Sequence, residues 1–312
     1  MNITIVIPIK NEVGSIKILY DEIVNVMSKI ENISYEIFLV DDGSDDGSWN
    51  IVENICFKDK KVKGFKFIKN YGKSLALNFC FRKAESDILI TMDADLQDDP
   101  AEIPNMLKLL NDSNSDCVVG WKKTRNDPLT KTIPSKFFNF CNRKLFKIDL
   151  HDINCGFKAY KKEVYKKLFV YGELHRYIPI LVHDQGFKVS EIVINHRKRV
   201  HGVSKYGFER FMRGFLDFLT VAFTTKFYQR PNHLFGGFGI CSILLGTLIF
   251  MYLLVNYFFD QSSVVRPLLF LSISMVIVGI QVLSLGIISE ILIKSSNKEK
   301  NFNMDIKYTK VN

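Results

Sequence analysis

The sequence lacks charged residues over two long stretches, although Asp, Glu, Lys and Arg make up 24% of the chain. The uncharged stretches run from Leu234 to Phe259 and from Pro267 to Ser289. Each exceeds the roughly 20 residues that a helix needs to cross a bilayer. A core helix of a soluble protein rarely stays apolar on all faces for so long. The two stretches therefore predict membrane-spanning helices at 234–259 and 267–290.

Cysteine pairs and a leader segment are also lacking. The six cysteines are scattered, and none belongs to a Cys-x-x-Cys motif. This spacing indicates neither a disulfide framework nor a zinc site, so a reducing compartment is expected. The apolar stretch at the N-terminus has no basic leader and ends at Pro8, so we expect no secretory signal there.

Acidic residues are outnumbered, and the excess of basic ones limits the class of partner. The formal charge is +9 and the isoelectric point is near 9.1, which suits nucleic acid, phosphorylated substrates or a membrane surface. The basic residues cluster beside the predicted spans, so we expect no nucleic-acid partner. The connecting loop, Asp260 to Arg266, is nearly neutral. By the positive-inside rule, both termini then lie in the cytoplasm and the protein in the inner (plasma) membrane.

Roughly the first 120 residues alternate between buried strands and amphipathic helices, and the chain after Gly120 is more irregular. This alternation predicts an α/β fold with a mainly parallel sheet and helices on both of its faces. The predicted strands are Ile3–Ile9, Tyr35–Val40, Val62–Ile68, Asp87–Met92 and Cys117–Val119, with shorter ones at Cys155–Tyr160 and Val189–Ile194. The predicted helices are Ser15–Ile30, Ser48–Phe57, Lys73–Ala84, Pro104–Leu110 and Leu129–Phe146.

Acidic and amide side chains follow three of these strands. Asn11-Glu12, Asp41-Asp42 and Asp93-Ala94-Asp95 each come directly after a strand. Ligands of open parallel sheets bind beyond the carboxyl ends of the strands, so the three groups are expected at one site. Asp93 and Asp95 are spaced to reach one Mg²⁺ or Mn²⁺ ion together with substrate phosphates. The alternative for an isolated Asp-x-Asp is a solvated acidic turn.

A basic amphipathic helix is predicted from Phe208 to Phe227, between the α/β region and the spans. Its apolar stripe and offset arginines are typical of a helix lying in a membrane interface. The alternative is a core-facing helix of the preceding domain. The predicted layout is a catalytic domain at 1–205, a juxtamembrane region at 206–230, two spans within 231–294 and a cytoplasmic tail at 295–312.

Six motifs in order resemble the family-2 glycosyltransferases of GT-A (Rossmann-like) fold. Within that family the chain is similar to the bacterial polyprenyl-phosphate glycosyltransferases with two membrane spans. The motifs are Ile5-Val6-Ile7-Pro8 with Asn11-Glu12, Val40-Asp41-Asp42-Gly43-Ser44, Gly72-Lys73-Ser74, Met92-Asp93-Ala94-Asp95-Leu96-Gln97, Cys155-Gly156-Phe157-Lys158 and Gly202-Val203-Ser204-Lys205-Tyr206.

The resemblance implies transfer of a sugar from a UDP- or GDP-linked donor to a polyprenyl phosphate such as undecaprenyl phosphate. Asp95 and Gln97 would hold Mg²⁺ or Mn²⁺, which stabilises the charge on the departing diphosphate. The implied nucleotide-sugar residues are Pro8, Glu12, Asp42, Lys73, Asp93, Ala94 and Asp95. The implied acceptor-phosphate residues are Arg125, Lys158, Arg197, Arg199 and Lys205. The catalytic set would be Asp93, Asp95, Arg125 and Lys205.

No general base is evident, and the chemistry does not require one. A polyprenyl phosphate is already ionised at neutral pH, so the resemblance implies a single in-line displacement that inverts the anomeric carbon. The histidines, His196 among them, are read as surface or capping residues. For Arg197 and Arg199, attraction of anionic lipid headgroups remains an equal alternative.

Two other function classes stay open. A processive polysaccharide synthase of the same fold usually has a Gln-x-x-Arg-Trp motif and more spans, whereas the only tryptophans here are Trp49 and Trp121. A non-catalytic membrane scaffold would be expected to lose the acidic ligands, which are present. Small residues such as Gly239 and Gly279 within the spans also permit close helix packing, and with it a homo-oligomer.

Overall fold

The computed structural model describes residues 1–123, 142–197, 209–225, 231–259, 266–296 and 308–311. The chain divides into two compact units. The first unit comprises Met1–Asp217 together with Asp305–Asn312, and the second comprises Phe218–Met304.

Strands and helices alternate through the first unit, as the sequence predicts. Its elements are β1 (Asn2–Ile9), α1 (Ile16–Met27), β2 (Ser34–Asp41), α2 (Ser48–Lys58), β3 (Val62–Phe67), α3 (Lys73–Lys83), β4 (Ile88–Thr91), a 3₁₀ turn (Pro100–Glu102), α4 (Ile103–Asp112), β5 (Cys117–Trp121), β6 (Lys158–Lys161), α5 (Lys162–Lys167), a second 3₁₀ turn (Leu174–Tyr177), α6 (Ile178–Asp184), β7 (Val189–Val193) and β8 (Tyr308–Val311). The predicted helix at 129–146 falls largely on residues 124–141, which lie outside the described ranges.

One sheet organises these elements, in the strand order β7-β5-β6-β4-β1-β2-β3-β8. Strands β4, β1, β2 and β3 pair parallel to one another, and β5 pairs parallel to β7. Strand β6 runs antiparallel between β4 and β5, and β8 runs antiparallel along β3. The predicted mainly parallel α/β sheet is confirmed. Because β4, β1 and β2 are parallel neighbours, their carboxyl ends meet at one edge of the sheet.

Strand β1 lies at the centre because almost all of its side chains are apolar. Five of them, Ile3, Ile5, Val6, Ile7 and Ile9, are at most 1% exposed. A strand buried on both faces is typical of parallel sheets that helices cover on each side. The buried strand therefore fixes the position at which the polar loop after Ile9 begins.

The structure differs from the sequence prediction at three places. The helix predicted from Pro104 is preceded by a 3₁₀ turn, Pro100–Glu102, which Asp99 caps by accepting from the Ala101 N–H at 3.0 Å. Helices α5 and α6 are too short to show a helical period. The predicted tail contains β8, whose residues Tyr308–Val311 extend the sheet beyond β3.

Helix α7 (Glu209–Thr225) runs from the first unit into the second, where α8 (Pro231–Phe259) and α9 (Arg266–Ser296) follow. The candidate spans Pro231–Phe259 and Pro267–Leu292 have a mean hydropathy of 2.4, and only 17% and 11% of their most apolar windows are buried. Since these apolar side chains face outward, α8 and α9 do not have the burial of core helices.

Glycines let the two long helices approach closely. A Cβ added at Gly239 would lie 2.7 Å from the Gly279 carbonyl oxygen, and one at Gly246 would lie 2.7 Å from that of Ser272. The Ser242 hydroxyl donates to the Met275 carbonyl across the same interface at 2.7 Å. The small residues thus serve packing within the α8–α9 hairpin, and their use between subunits stays a prediction.

Candidate active site

The candidate site lies at the edge of the sheet where β1, β2 and β4 end. Backbone N–H groups after β1 donate to hydroxyl groups of the loop after β2 and of the first residue of α2. Asn11 donates to the Ser44 hydroxyl and Glu12 to the Ser48 hydroxyl, both at 2.9 Å. Asn11 has a φ of 58°, a left-handed conformation that asparagine tolerates. Hydrogen bonds therefore connect the polar segment after β1 to the polar segment after β2.

Glu12 and Pro8 occupy different positions in this region. The Glu12 carboxylate accepts from the Ser15 hydroxyl at 3.0 Å, at the start of α1. Pro8 lies within β1, opposite Val40 of β2. Both therefore sit where the first two strands reach the site edge.

Asp42 connects the end of β2 to the start of α3. Its two carboxylate oxygens accept from the backbone N–H groups of Tyr71 at 2.7 Å and Gly72 at 2.8 Å. Burial raises the pKa of Asp42, while these two hydrogen bonds oppose the rise. Gly72 has a φ of 92°, which favours glycine at the helix N-cap. Asp42 thus holds the loop that delivers Lys73 to the site.

Asp93 and Lys73 form an ion pair that faces the site. About a third of each side chain is exposed, 33% for Asp93 and 31% for Lys73. Burial raises the pKa of Asp93, but the charges of Lys73 and Lys122 outweigh it and hold that pKa well below its usual range. Asp93 is therefore an anion at every physiological pH.

Gly156, in the motif that precedes β6, allows Asp93 to lie against the chain. A Cβ at this position would fall 2.6 Å from either carboxylate oxygen of Asp93. The Thr91 hydroxyl donates to the Gly156 carbonyl at 2.9 Å, which joins β4 to the same segment. Any larger residue here would displace the carboxylate.

Asp95 and Gln97 lie on a tight turn that follows Asp93. Leu96, between them, has a φ of 62°, and the Gln97 N–H donates to Asp95 Oδ1 at 3.2 Å. Asp95 is 8% exposed. Carboxylate and amide oxygens are the ligand types that Mg²⁺ and Mn²⁺ take, so this pair fits a divalent cation. Within the described ranges, no three His, Cys, Asp or Glu side chains converge as a metal cluster, so substrate oxygens would complete the shell.

A second ion pair, which is largely buried, involves the residue that follows Gln97. Lys122 Nζ is 2.9 Å from Oδ1 of Asp98, which is fully buried. Burial lowers the pKa of Lys122, but Asp98 and Asp93 more than reverse this and raise it. Lys122 therefore remains a cation beside Asp93, a role that its position in the sequence did not indicate.

A cavity of about 160 Å³ opens beside Asp93. It is polar and rich in cations. Its walls are formed by Lys73, Leu77, Thr91, Asp93, Asn154, Gly156, Lys158, His175 and Arg176. Of these, Asn154, His175 and Arg176 were not predicted as site residues, because they follow β5 in irregular segments without a motif.

Lys158 is the most deeply buried cation of the cavity, at 3% exposure. Its ammonium donates to the Cys155 carbonyl oxygen. Burial lowers its pKa, and the nearby Lys73 adds to the decrease. A bound anion would favour the charged form, so Lys158 is suited to a phosphate or carboxylate group.

His175 is neutral in this environment. Its Nδ1 lies 3.0 Å from the Ser74 hydroxyl, and its backbone N–H also donates to that hydroxyl at 3.0 Å. Burial, followed by the charges of Lys73 and Arg176, lowers the pKa of His175 to about 2. The imidazole contributes polarity and shape to the cavity but no charge at neutral pH.

Arg197, predicted to meet the acceptor phosphate, is engaged elsewhere. Its guanidinium donates to both oxygens of Glu22, at 2.8 and 2.7 Å, and to Oδ1 of Asp99 at 2.7 Å. These carboxylates already neutralise its charge, and its phosphate role stays a prediction. The other predicted phosphate residues, Arg125, Arg199 and Lys205, lie outside the described ranges.

Known sequences resemble this chain over most of its length. The profile of glycosyl transferase family 2 matches residues 4–169. The chain is 32% identical to dodecaprenyl-phosphate galacturonate synthase of Rhizobium johnstonii over 300 residues, covering 95% of this chain and 88% of that protein. It is also 32% identical to undecaprenyl-phosphate 4-deoxy-4-formamido-L-arabinose transferase of Shewanella sediminis over 289 residues, 92% and 86% of the two chains.

Solved structures share the fold of this chain over somewhat more than two thirds of its length. Glucosyl-3-phosphoglycerate synthase from Mycobacterium tuberculosis, in complex with Mn²⁺, UDP-glucose and phosphoglyceric acid, superposes with a TM-score of 0.55 at 15% identity. That match covers 72% of this chain and 79% of the other. A mannosyltransferase from Pyrobaculum calidifontis, in complex with GDP-mannose and Mn²⁺, gives 0.50 at 21% identity, with 71% and 63% covered. The predicted GT-A fold is confirmed.

Proposed function

Since the chain belongs to glycosyl transferase family 2, we propose that it transfers a sugar from a nucleotide-diphosphate sugar to a polyprenyl phosphate. The donor is UDP- or GDP-linked, the acceptor is undecaprenyl phosphate or a close analogue, and the product is a lipid-linked sugar for the cell envelope. The observation that carries this proposal is the turn Asp93–Gln97, placed beside a cation-lined cavity in a chain that continues into two apolar helices.

The donor would lie across the carboxyl edge of the sheet, with Asp95 and Gln97 holding a divalent cation at its diphosphate. When bound, that cation stabilises the negative charge of the leaving group. Asp93, kept ionised by Lys73, is positioned to accept hydrogen bonds from sugar or ribose hydroxyls. Asp42, Glu12 and the β1–β2 turns support the nucleotide end.

The acceptor phosphate needs positioning and charge rather than a base. It is already ionised at neutral pH, so proton removal is not part of the step. Lys158 and the cations lining the cavity stabilise an approaching anion electrostatically. A single displacement from the face opposite the diphosphate inverts the anomeric carbon. His175 is neutral and hydrogen-bonded to Ser74, so it shapes the cavity without taking up a proton.

Strand β8 supports the proposed topology. The chain leaves the first unit for the two apolar helices, and its C-terminal strand then pairs with β3 of that unit. Two membrane spans would return the chain to the side of the membrane from which it started, which agrees with the pairing of β8 with β3. Together with the basic flanks of the spans, it supports a catalytic domain and both termini in the cytoplasm, with α7 at the membrane interface.

A transfer assay tests the function directly. Purified full-length protein in detergent is incubated with radiolabelled UDP- and GDP-sugars, Mn²⁺ or Mg²⁺, and undecaprenyl phosphate. We expect a mild-acid-labile lipid-linked sugar from at least one donor. Asp95→Ala should abolish its formation, whereas Asp112→Ala, at the exposed end of α4, should not. A long polymer product would indicate a processive synthase, and no product with any donor would refute the transferase.

A further inference from the structure

His175 lies on the second 3₁₀ turn, Leu174–Tyr177, which places it against the start of α3. The Ser74 hydroxyl of that helix contacts it twice. The hydroxyl oxygen accepts from the His175 backbone N–H at 3.0 Å, and it lies 3.0 Å from the ring nitrogen Nδ1. One hydroxyl therefore fixes both the backbone and the ring of His175, at the wall of the cavity beside Asp93.

These two contacts determine which ring nitrogen carries the proton. Ser74 is 1% exposed, so water does not satisfy its hydroxyl group, and its hydrogen-bond partners within the described ranges all belong to His175. If Nδ1 carried the proton, the hydroxyl hydrogen of Ser74 would be buried without an acceptor, which is unfavourable. The Ser74 hydroxyl therefore donates to Nδ1, and the proton of the neutral imidazole is on Nε2.

The surrounding charges keep the imidazole neutral. Lys73, Lys158 and Arg176 line the same cavity and oppose a positive charge on the ring, while Asp93 is the one carboxylate among the described residues that line it. Burial acts in the same direction as the three cations, so the pKa of His175 is lowered to about 2. Nε2 therefore keeps a single hydrogen at every physiological pH.

The Nε2–H group and Asp93 have opposite hydrogen-bonding roles. Nδ1 faces Ser74, so Nε2 is the ring nitrogen available to a ligand in the cavity. It only donates, whereas the ionised Asp93 only accepts. A sugar hydroxyl donates and accepts, so a sugar satisfies both groups. A phosphate oxygen accepts only and is repelled by Asp93, so this part of the wall suits a hydroxylated ring better than a phosphate.

We propose that His175 binds the transferred sugar by donating from Nε2–H to one of its hydroxyl oxygens, and that Ser74 is a positioning residue that keeps the proton on Nε2. This assignment rests on the proposed function, which supplies the nucleotide sugar and places Asp93 beside it. A site built to hydrogen-bond a hydroxyl group rejects analogues that lack it. His175 therefore contributes to selection among donor sugars.

Binding of sugar nucleotides and of bare nucleotides tests this role. The affinities of UDP-glucose, UDP-glucuronic acid, GDP-mannose, UDP and GDP are measured by calorimetry on the full-length protein with Mn²⁺. We expect His175→Leu to weaken at least one sugar nucleotide by about 3- to 10-fold, the effect of one lost hydrogen bond, and to weaken UDP and GDP by less than about twofold. His183→Leu, which replaces an exposed histidine at the end of α6, is the matched control.

Conservative variants separate hydrogen bonding from packing. The carbonyl of His175→Gln can accept from Ser74 while its amide donates to the cavity, so this variant should recover most of the lost affinity. Ser74→Ala frees Nδ1 and should weaken the same sugar nucleotide, whereas Ser74→Thr keeps the hydroxyl group and should restore binding. Equal losses for sugar nucleotides and bare nucleotides, or a raised KM for polyprenyl phosphate alone, overturn the proposal.

Nitrogen resonance spectra of the wild-type protein carrying ¹⁵N-histidine report the tautomer directly. The signals of His175 are those missing from the spectrum of His175→Gln. We expect the proton on Nε2, an unprotonated Nδ1, and no titration between about pH 5.5 and pH 8, the range in which an ordinary histidine titrates. A proton on Nδ1, or an imidazole that titrates in this range, refutes the assignment.

The two proposals fail in different ways. Sugar transfer that depends on Asp95, with the donor KM unchanged in His175→Leu, would refute the role of His175 and leave the transferase intact. A loss of affinity confined to sugar nucleotides, in a protein that transfers no sugar to the lipid, would refute the transferase and leave the sugar site. Melting temperatures identify any variant that is unfolded, and the wild-type spectrum then decides the position of the proton.

Discussion

Replacing Arg197 distinguishes a structural role from the phosphate-binding role that the sequence pattern predicted. Arg197→Met removes the guanidinium that bonds both oxygens of Glu22 and one oxygen of Asp99. Arg197 and Glu22 are 35% and 33% exposed, and the Asp99 side chain is 12% exposed. The variant therefore leaves one nearly buried carboxylate and one partly exposed carboxylate without their cation.

The expected loss follows from these exposures. Removing one partner of a fully buried pair costs about 3–5 kcal/mol, while an exposed pair contributes about 1 kcal/mol or less. Because this cluster lies between those limits, we expect about 2–3 kcal/mol. For a domain of this size, each kcal/mol shifts the melting temperature by about 2–4 °C, so the shift should be about 4–12 °C.

The assay combines thermal unfolding in detergent with transfer kinetics. If Arg197 is structural, Arg197→Met lowers the melting temperature and leaves the KM for polyprenyl phosphate close to that of the wild type. Arg197→Lys keeps the charge but loses the two-pronged contact with Glu22, so its shift should be smaller. Lys108→Met, an exposed basic residue on α4, serves as the surface control. An unchanged melting temperature with a raised KM for polyprenyl phosphate would refute the structural role.

Three further predictions concern the cavity and the C-terminal strand. Lys158→Met should raise the KM for polyprenyl phosphate by about tenfold or more, equivalent to about 1.4 kcal/mol or more, and leave the affinity for the donor unchanged. A fall in donor affinity alone would instead place Lys158 at the diphosphate. The pKa of His175 is lowered to about 2, so the unfolded chain binds the proton first as pH falls below about 6.5. The free energy of unfolding should then decrease by on the order of 1–2 kcal/mol between about pH 7.5 and pH 5. In unfolding experiments at a series of pH values, His175→Gln should lose less stability over the same range. Deleting residues 308–312 removes β8 and should destabilise the first unit by on the order of 1–3 kcal/mol, seen as a lower melting temperature. Membrane fractionation should show that the shortened protein still inserts. An unchanged melting temperature would show that β8 does not contribute to stability.

Local sequence predicted the elements that carry strong periodic or apolar signals. The continuous apolar run of β1 and the helical spacing of α1 are set by which side chains must leave water, a property of the residues themselves. The acidic turn after β4 was predicted from its position, because ligands of parallel sheets bind beyond the carboxyl ends of the strands. The short helices α5 and α6 were missed because six or seven residues show too little of a helical period.

Pairings between distant segments were not predictable in this way. Strand β6 follows β5 in sequence but lies between β5 and β4, an order set by packing and not by its own residues. Arg197 carries the same charge whether it meets a phosphate or Glu22, and only the fold brings Glu22 within 2.7 Å. The basic residue was therefore found from sequence, while its partner was not.

The sequence by itself determined the class of the protein: a parallel α/β domain with acidic strand ends, joined to two uncharged helices. Burial and charge dictate those features locally, so motifs and periodicity are sufficient to read them. The tertiary structure decided which groups share the site, because contacts between residues a hundred positions apart depend on the folded chain. His196, an unremarkable histidine in the sequence, lies beside Gln97 only because the segment after β7 returns to the turn after β4.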